Sequence, residues 1–172
     1  MQTNQSSTYL FFFLLAAACV VTVGCGGEQR PDGLPPTYPL SIKVLQEGQP
    51  LDDATVTLYF ADGSMNWTIG GVTDAGGVAK MYTHGKFEGA PEGSFNVTVS
   101  KMLYEGKAEH DAAMDAGDTE AARRIEVNAW QLVADEYMIP ARTPIKVEVT
   151  KGTKSLEIDA GSAVRIKKEM LR

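Results

Sequence analysis

Few side chains in this chain belong to the types that perform chemistry. The histidines are His84 and His110, one at the end of a predicted strand and one in a predicted helix, and neither has partners at the spacing of a metal site. The sequence has no Gly-x-Ser-x-Gly elbow and no His-Glu-x-x-His motif, which serve nucleophilic and zinc-dependent hydrolysis. The paired acids Asp52-Asp53 and Asp135-Glu136 fall at a predicted turn and a helix end, where acidic residues are common. We therefore expect no catalytic residue, no metal and no cofactor, and thus not an enzyme.

The thiol of Cys25 has a context that indicates covalent modification. An apolar run from Tyr9 to Val23 ends abruptly in Gly24-Cys25-Gly26-Gly27. The run is short for a membrane-spanning helix, and polar, proline-rich sequence follows it, so it predicts a cleaved signal peptide over residues 1–24. Residues 21–25, Val-Thr-Val-Gly-Cys, resemble the lipobox of bacterial lipoproteins, in which small residues precede a cysteine that takes a diacylglycerol as a thioether. This resemblance implies lipidation of Cys25 and a lipid anchor.

Two alternatives to this interpretation concern the processing site. Cys19, which follows three alanines, is a rival site, but a cut there would leave the apolar residues 20–23 exposed. An ordinary secretory signal with an incidental cysteine is the second alternative. If Cys19 leaves with the signal and Cys25 carries lipid, no disulfide forms. The lipobox implies a domain outside the cytoplasm of a bacterium, and Gly26 after the cysteine favours the outer membrane over the inner one.

The rest of the chain predicts a tether followed by a mainly β domain. Residues 25–37 are rich in glycine and proline and lack hydrophobic periodicity, which is typical of a linker. Apolar residues then alternate with polar ones, the pattern of strands with one buried face. Seven such segments are predicted, at 40–44, 54–60, 65–69, 79–83, 95–100, 145–149 and 156–158. Short strands separated by turns predict an antiparallel, seven-stranded β-sandwich.

The order of the turns and strands resembles a known domain family. Gly-Gln-Pro, Ala-Thr-Val-Thr-Leu, Ala-Asp-Gly, Thr-Asp-Ala-Gly-Gly and Gly-Ser-Phe-Asn-Val-Thr-Val-Ser-Lys follow one another, with Ile-Pro-Ala before the last two strands. This order is similar to the carboxypeptidase regulatory-like, or transthyretin-like, domain of small bacterial lipoproteins. The resemblance covers residues 38–160 and implies a prealbumin-like (Ig-like) sandwich without catalytic activity. A purine-degrading hydrolase shares the fold, but its terminal Tyr-Arg-Gly-Ser motif is missing here, where the chain ends in Glu-Met-Leu-Arg.

Residues 102–137 interrupt the strand pattern and are predicted to be a helical insertion between strands five and six. Apolar residues from Ala121 to Tyr137 recur at helical spacing, and residues 107–116 predict a shorter helix. The segment has nine acidic residues against three basic ones, a difference equal to the net charge of −6 of the whole chain. The remaining sandwich is therefore close to neutral, and nucleic acid is excluded as a partner. The apolar stripe either packs on the sandwich or offers a face to a partner.

Two aromatic residues are the predicted ligand-facing side chains. Tyr59 and Tyr82 alternate to the outer face of their strands, where two rings on a flat sheet could stack on sugar rings, although tyrosine is common in strands by propensity alone. The basic tail, residues 161–172, either touches anionic lipid or is a solvated end.

These observations predict a non-catalytic lipoprotein of the cell envelope that carries one β-sandwich and serves as a structural or protein-binding module. The alternative is a carbohydrate-binding or adhesion module on the cell surface. The expected partners are the membrane, through the N-terminal lipid, and an envelope protein or polysaccharide.

Overall fold

A computed structural model describes residues 30–64 and 67–169. Contacts divide the chain after Leu34, and every described strand and helix lies in the second unit, Pro35–Arg172. The strands are β1 (Ser41–Gln46), β2 (Gln49–Pro50), β3 (Thr55–Phe60), β4 (Ile69–Val72), β5 (Val78–Lys80), β6 (Tyr82–Thr83), β7 (Phe87–Glu88), β8 (Gly93–Ser100), β9 (Met102–Glu105), β10 (Asn128–Gln131), β11 (Lys146–Val149), β12 (Ser155–Asp159) and β13 (Ile166–Lys168). The helices are α1 (Lys107–Asp115), α2 (Thr119–Arg124) and α3 (Asp135–Met138).

The strands form three sheets. In the first sheet the order is β12-β1-β2, and β5 also pairs with β1. The six-stranded sheet has the order β11-β8-β3-β4-β6-β7, and the three-stranded sheet has the order β13-β10-β9. The protein is therefore mainly β, but the described residues form more and shorter strands than the seven predicted ones.

One strand pair departs from the predicted antiparallel arrangement. β1 and β12 are parallel, with Ile42 opposite Leu156 and Val44 opposite Ile158. The reason is that β11 lies in the six-stranded sheet and β12 in the first sheet. The short turn between them therefore carries the chain from one sheet to the other instead of forming a β11–β12 hairpin, and β12 pairs with β1.

The core lies between the first sheet and the six-stranded sheet, as a β-sandwich requires. Alternate residues of facing strands point into it, so the predicted period of two is confirmed for the longest strands. Phe95 is fully buried, and its ring centroid lies 4.5 Å from that of Phe60. The core side chains include Ile42, Val44, Val56, Leu58, Ile69, Ala79, Met81, Phe95, Val97, Val99, Val133, Val149 and Ile158.

The predicted strand over residues 79–83 is divided between the two sheets. Ala79, Met81 and Thr83 are all buried, as the alternation predicts. However, β5 pairs with β1, whereas β6 pairs with β4. Between them the backbone N–H of Met81 donates to the carbonyl of Leu40 at 3.0 Å. This crossing of one chain segment ties the two sheets together.

A tight turn precedes this segment, at the predicted Asp-Ala-Gly-Gly position. The carboxylate of Asp74 accepts hydrogen bonds from the backbone N–H groups of Gly76 and Val78, at 2.9 and 3.0 Å. Gly77 has φ +75°, and a Cβ at this position would lie 2.8 Å from the carbonyl oxygen of Val44. Only glycine fits such a position without strain.

The predicted helical insertion, residues 102–137, is only partly helical, and the longer of its two predicted helices is wrong. Asp118 caps α2 by accepting a hydrogen bond from Ala121 N–H at 2.9 Å, but Ile125 is already extended and ends the helix. Residues 128–131 then form β10, the central strand of the three-stranded sheet. The shorter predicted helix, residues 107–116, corresponds to α1. Strand pairing on both sides of β10 outweighs the helical spacing of its apolar residues.

The basic tail is likewise not simply a solvated end. Residues 166–168 form β13 and pair antiparallel with β10, with Lys167 opposite Trp130. Across the part of the chain that the structure describes, no helix is long and apolar enough to cross a membrane.

Candidate functional site

The outer face of the six-stranded sheet is where the predicted ligand-facing tyrosines lie. One cross-strand row runs from Thr98 through Thr57 and Gly70 to Tyr82. The neighbouring row joins Asn96 to Tyr59. Because residues directly opposite each other in antiparallel strands share a face, both tyrosines are on the same side of the sheet. Their outward orientation, expected from sequence, is confirmed by exposures of 43% for Tyr59 and 37% for Tyr82.

Gly70 leaves a gap between the two tyrosines. It lies on β4, directly between Thr57 of β3 and Tyr82 of β6, and it has no side chain. Tyr59 is two strands from Tyr82 and two residues further along, so the two Cα atoms are roughly 12 Å apart by strand geometry. The rings therefore flank a shallow floor of backbone and threonine. Val72, 56% exposed, adds a third apolar side chain to this face.

The central part of this outer face carries no charge. On β8, β3, β4 and β6 every outward side chain is serine, threonine, asparagine, tyrosine, valine or glycine. Among the described residues, charges border this area at Lys80, which is exposed beside Val72, at Glu88 on β7, and at Lys146 and Glu148 on β11. We call the uncharged area, which contains Tyr59, Val72 and Tyr82, the tyrosine face. Such a surface suits a neutral ligand or a polar, uncharged protein surface, since nothing in its centre requires a counter-ion.

Hydrogen-bonding groups of the tyrosine face are available for a ligand. Within the described residues, the side chains of Thr57, Tyr59, Tyr82 and Asn96 make no hydrogen bond to another protein group. A tyrosine combines an apolar ring with a hydroxyl that both donates and accepts, so one face can offer stacking and directional bonds together.

A second cluster, which sequence reasoning missed, lies on the three-stranded sheet. The indole N–H of Trp130 donates to the Glu105 carboxylate at 2.7 Å, and Arg165 also pairs with that carboxylate. The guanidinium of Arg165 lies 4.6 Å from the Trp130 ring centroid, and the Lys167 ammonium lies 5.9 Å from it. We call these four residues the Trp130 cluster. The sequence predicts Trp130 to be in a helix, and the strand pairing of β10 is what brings Arg165 and Lys167 over its ring.

The histidines and paired acids do not come together. His84 is exposed and has its ring edge-on to Trp67 at 6.0 Å, whereas His110 is on α1 with Nδ1 3.3 Å from Asp111. Residues 30–64 and 67–169 contain no group of three His, Cys, Asp or Glu side chains that could hold a metal ion. Lipidation of Cys25 is a prediction that lies outside the described residues.

The acidic pairs predicted to be ordinary turn and helix-end residues are held by nearby donors. Asp52 accepts a hydrogen bond from Lys101 at 2.5 Å, which lowers the pKa of its carboxyl. Asp135, at the start of α3, accepts a hydrogen bond from the buried Gln131 amide at 2.7 Å, and Lys168 lies 3.5 Å away. These two contacts, the Gln131 bond first, lower the pKa of Asp135. Both carboxylates thus favour the ionised form rather than that of a general acid.

Comparisons with known proteins give one structural likeness. No protein-family model matches the chain, and no curated protein matches it. Among solved structures the chain is similar to a variant of BcpA, the major pilin subunit of Bacillus cereus, with 16% sequence identity and a TM-score of 0.40. The match covers 73% of this chain and 30% of the pilin chain, so this chain spans less than a third of the length of that protein.

Proposed function

We propose that this chain is a lipid-anchored, non-catalytic module of the bacterial cell envelope that binds another envelope protein through the tyrosine face. In this proposal the fold is the carboxypeptidase regulatory-like sandwich that the order of turns resembles. The single observation that carries the binding role is an uncharged sheet face with three exposed large apolar side chains. Protein interfaces are enriched in tyrosine and depleted of charge at their centre, which matches this face.

The anchor is the part of the proposal that supplies the location, the outer membrane rather than the inner. Because only a thiol forms the thioether, Cys25→Ser should abolish labelling by a lipid precursor and release the domain from membranes or block its processing. Cys19→Ser is the matched control and should leave labelling intact. Persistent labelling of Cys25→Ser would overturn the anchor without bearing on the tyrosine face.

The binding role is tested in the full chain within its own envelope. A photo-crosslinking amino acid replaces Tyr59 or, as the matched control, Tyr104, which is 46% exposed but lies on the three-stranded sheet. We expect a discrete crosslinked protein from position 59 that is missing from position 104. Equal crosslinking at both positions, or none at position 59, would contradict a protein-binding tyrosine face.

A polysaccharide is the second candidate ligand, favoured by one specific observation. Tyr59 and Tyr82 flank Gly70 on a single face, so two rings could stack on separated sugar units of one extended chain while Thr57 and Asn96 bond to hydroxyl groups. In sedimentation with purified envelope polysaccharide, Tyr59→Ala and Tyr82→Ala should each reduce the bound fraction, whereas Tyr104→Ala should not. Undiminished binding by both variants would exclude this mode.

A further inference from the structure

β11 is an edge strand of the six-stranded sheet, so one side of its backbone pairs with β8 and the other side has no described strand beside it. Within the described residues it pairs only with β8. The carbonyl of Ile145 accepts a hydrogen bond from Val97 N–H at 2.9 Å, which fixes the phase of the ladder. In an antiparallel pair every second residue directs its backbone N–H and C=O toward the same adjacent strand. The residues that direct these backbone groups toward β8 are therefore Ile145, Val147 and Val149. Lys146 and Glu148 therefore turn theirs toward the open edge.

The side chains of this edge carry opposite charges two residues apart. Lys146 and Glu148 are both exposed and point to the outer face of the six-stranded sheet. Neither makes an ion pair or a hydrogen bond with another side chain in residues 30–64 and 67–169. By contrast, Lys43 and Glu157, which are directly opposite each other on β1 and β12, pair at 3.0 Å.

We propose that β11 pairs antiparallel with β11 of a second copy of this chain, centred on Val147. In this register Lys146 lies opposite Glu148 of the second copy, and the reverse pair forms by symmetry. The outward backbone groups of residues 146 and 148 are then the ones that bond across the interface, which agrees with their phase in the ladder. The two Val147 side chains meet on the inner face, and the two six-stranded sheets continue into one another.

Charge selects this register over its neighbours. Because successive side chains point to opposite faces, the allowed registers are those in which outer-face residues of one strand lie opposite outer-face residues of the other. Centring the pair on Lys146 places two lysines opposite each other, and centring it on Glu148 places two glutamates opposite each other. Only the register centred on Val147 makes both contacts attractive.

Two other edge strands, β12 and β7, do not offer the same complementarity. On β12 the outward side chains are Ser155, Glu157 and Asp159, so a second β12 would bring acids together. β7 has only two residues, Phe87 and Glu88. Exposed edges with like charges or short strands resist pairing, whereas β11 is self-complementary.

The test uses the full chain in its own membranes, with Val147→Cys as the reporter. The two Val147 residues form a non-hydrogen-bonded pair with Cα atoms about 4.5 Å apart, close enough for a disulfide. Mild oxidation should convert this variant to a disulfide-linked dimer on a non-reducing gel. Ser155→Cys, on the exposed edge of the first sheet, is the matched control and should remain monomeric, as should the chain with neither substitution.

Charge reversal then distinguishes the proposed register from chance collision. Added to the reporter, Lys146→Glu or Glu148→Lys alone should lower the crosslinked fraction about fivefold, because each sets like charges opposite each other in both symmetry-related pairs. Co-expression of the two reversed chains with different tags should restore crosslinking between them, and only between unlike tags. Crosslinking that is equal in Val147→Cys and Ser155→Cys, unaffected by reversal, or missing altogether would overturn the proposal.

Discussion

The guanidinium of Arg165 lies over the indole ring of Trp130, 4.6 Å from its centroid, and both side chains meet the carboxylate of Glu105. Arg165 precedes β13, Trp130 is on β10 and Glu105 ends β9, so this contact joins all three strands of the three-stranded sheet. The basic residues near the C-terminus thus serve to attach the last strand, in addition to any role toward lipid.

Removing the guanidinium should weaken the attachment of β13. We expect Arg165→Ala to lower the free energy of unfolding by about 1 kcal/mol, since an exposed cation–π contact contributes ~0.5–1 kcal/mol and an exposed ion pair adds little. Urea unfolding followed by circular dichroism measures this loss. Arg165→Lys keeps the charge and should lose less, and equal stability of Arg165→Ala and the unaltered protein would contradict the role of this contact.

The two faces of the six-stranded sheet should differ sharply in their tolerance of truncation. Phe95 is fully buried against Phe60, so Phe95→Ala should cost about 3–5 kcal/mol through lost burial and a residual cavity. Thr57 is on the outer face and makes no side-chain hydrogen bond in the described structure, so Thr57→Ala should cost less than about 1 kcal/mol. Similar losses of stability for the two variants would show that the face assignment is wrong.

The parts of this fold that sequence predicts well are those with one buried and one wet face. β3 and β8 follow this alternation because each has a neighbour on both sides and a core on one face, and the exception is Thr98, which is buried although it lies on the outer side. The same alternation places Tyr59 and Tyr82 outward. That Gly70 lies between them could not be predicted, because it depends on the register of β4 against two other strands.

Prediction failed where strands are short and their partners are distant in the chain. β10 has four residues, and its apolar positions fit a helix as well as a strand. What decides between them is pairing with β9 and with β13, which begins 35 residues after β10 ends. The Trp130 cluster was missed for the same reason, because its members come from three separate segments.

The carboxyl of Asp135 should titrate below its ordinary pKa of 3.8. The Gln131 amide is the main cause and Lys168 the second, so Gln131→Leu should raise this pKa by more than Lys168→Met does, as followed by carboxyl NMR shifts. A pKa that is lower in the folded state contributes stability above 3.8, and this contribution is lost as pH falls through the folded value. Asp135→Asn should therefore remove part of the acid-induced loss of stability. An unchanged pKa in Gln131→Leu would contradict the assigned cause.

The helical hairpin of α1 and α2 should be dispensable for folding, whereas the strands that flank it should not. β9 and β10 pair directly, with Glu105 opposite Asn128, and a Cβ on Gly106 would lie only 2.4 Å from the Glu126 carbonyl oxygen, so the two ends of the hairpin already touch. Replacing residues 107–125 by a short Gly-Ser loop then closes an existing β-hairpin, and shortening a loop changes its closure entropy only slightly. Circular dichroism should lose most of its helical component while a cooperative thermal transition remains.

Replacing residues 104–137 instead removes β10, leaves β13 without its neighbour and takes away the buried Val133, so this larger deletion should melt at a much lower temperature or without cooperativity. If both deletion variants melt at the temperature of the unaltered protein, β10 contributes nothing to the core. If both melt at a much lower temperature, the helices are part of the core.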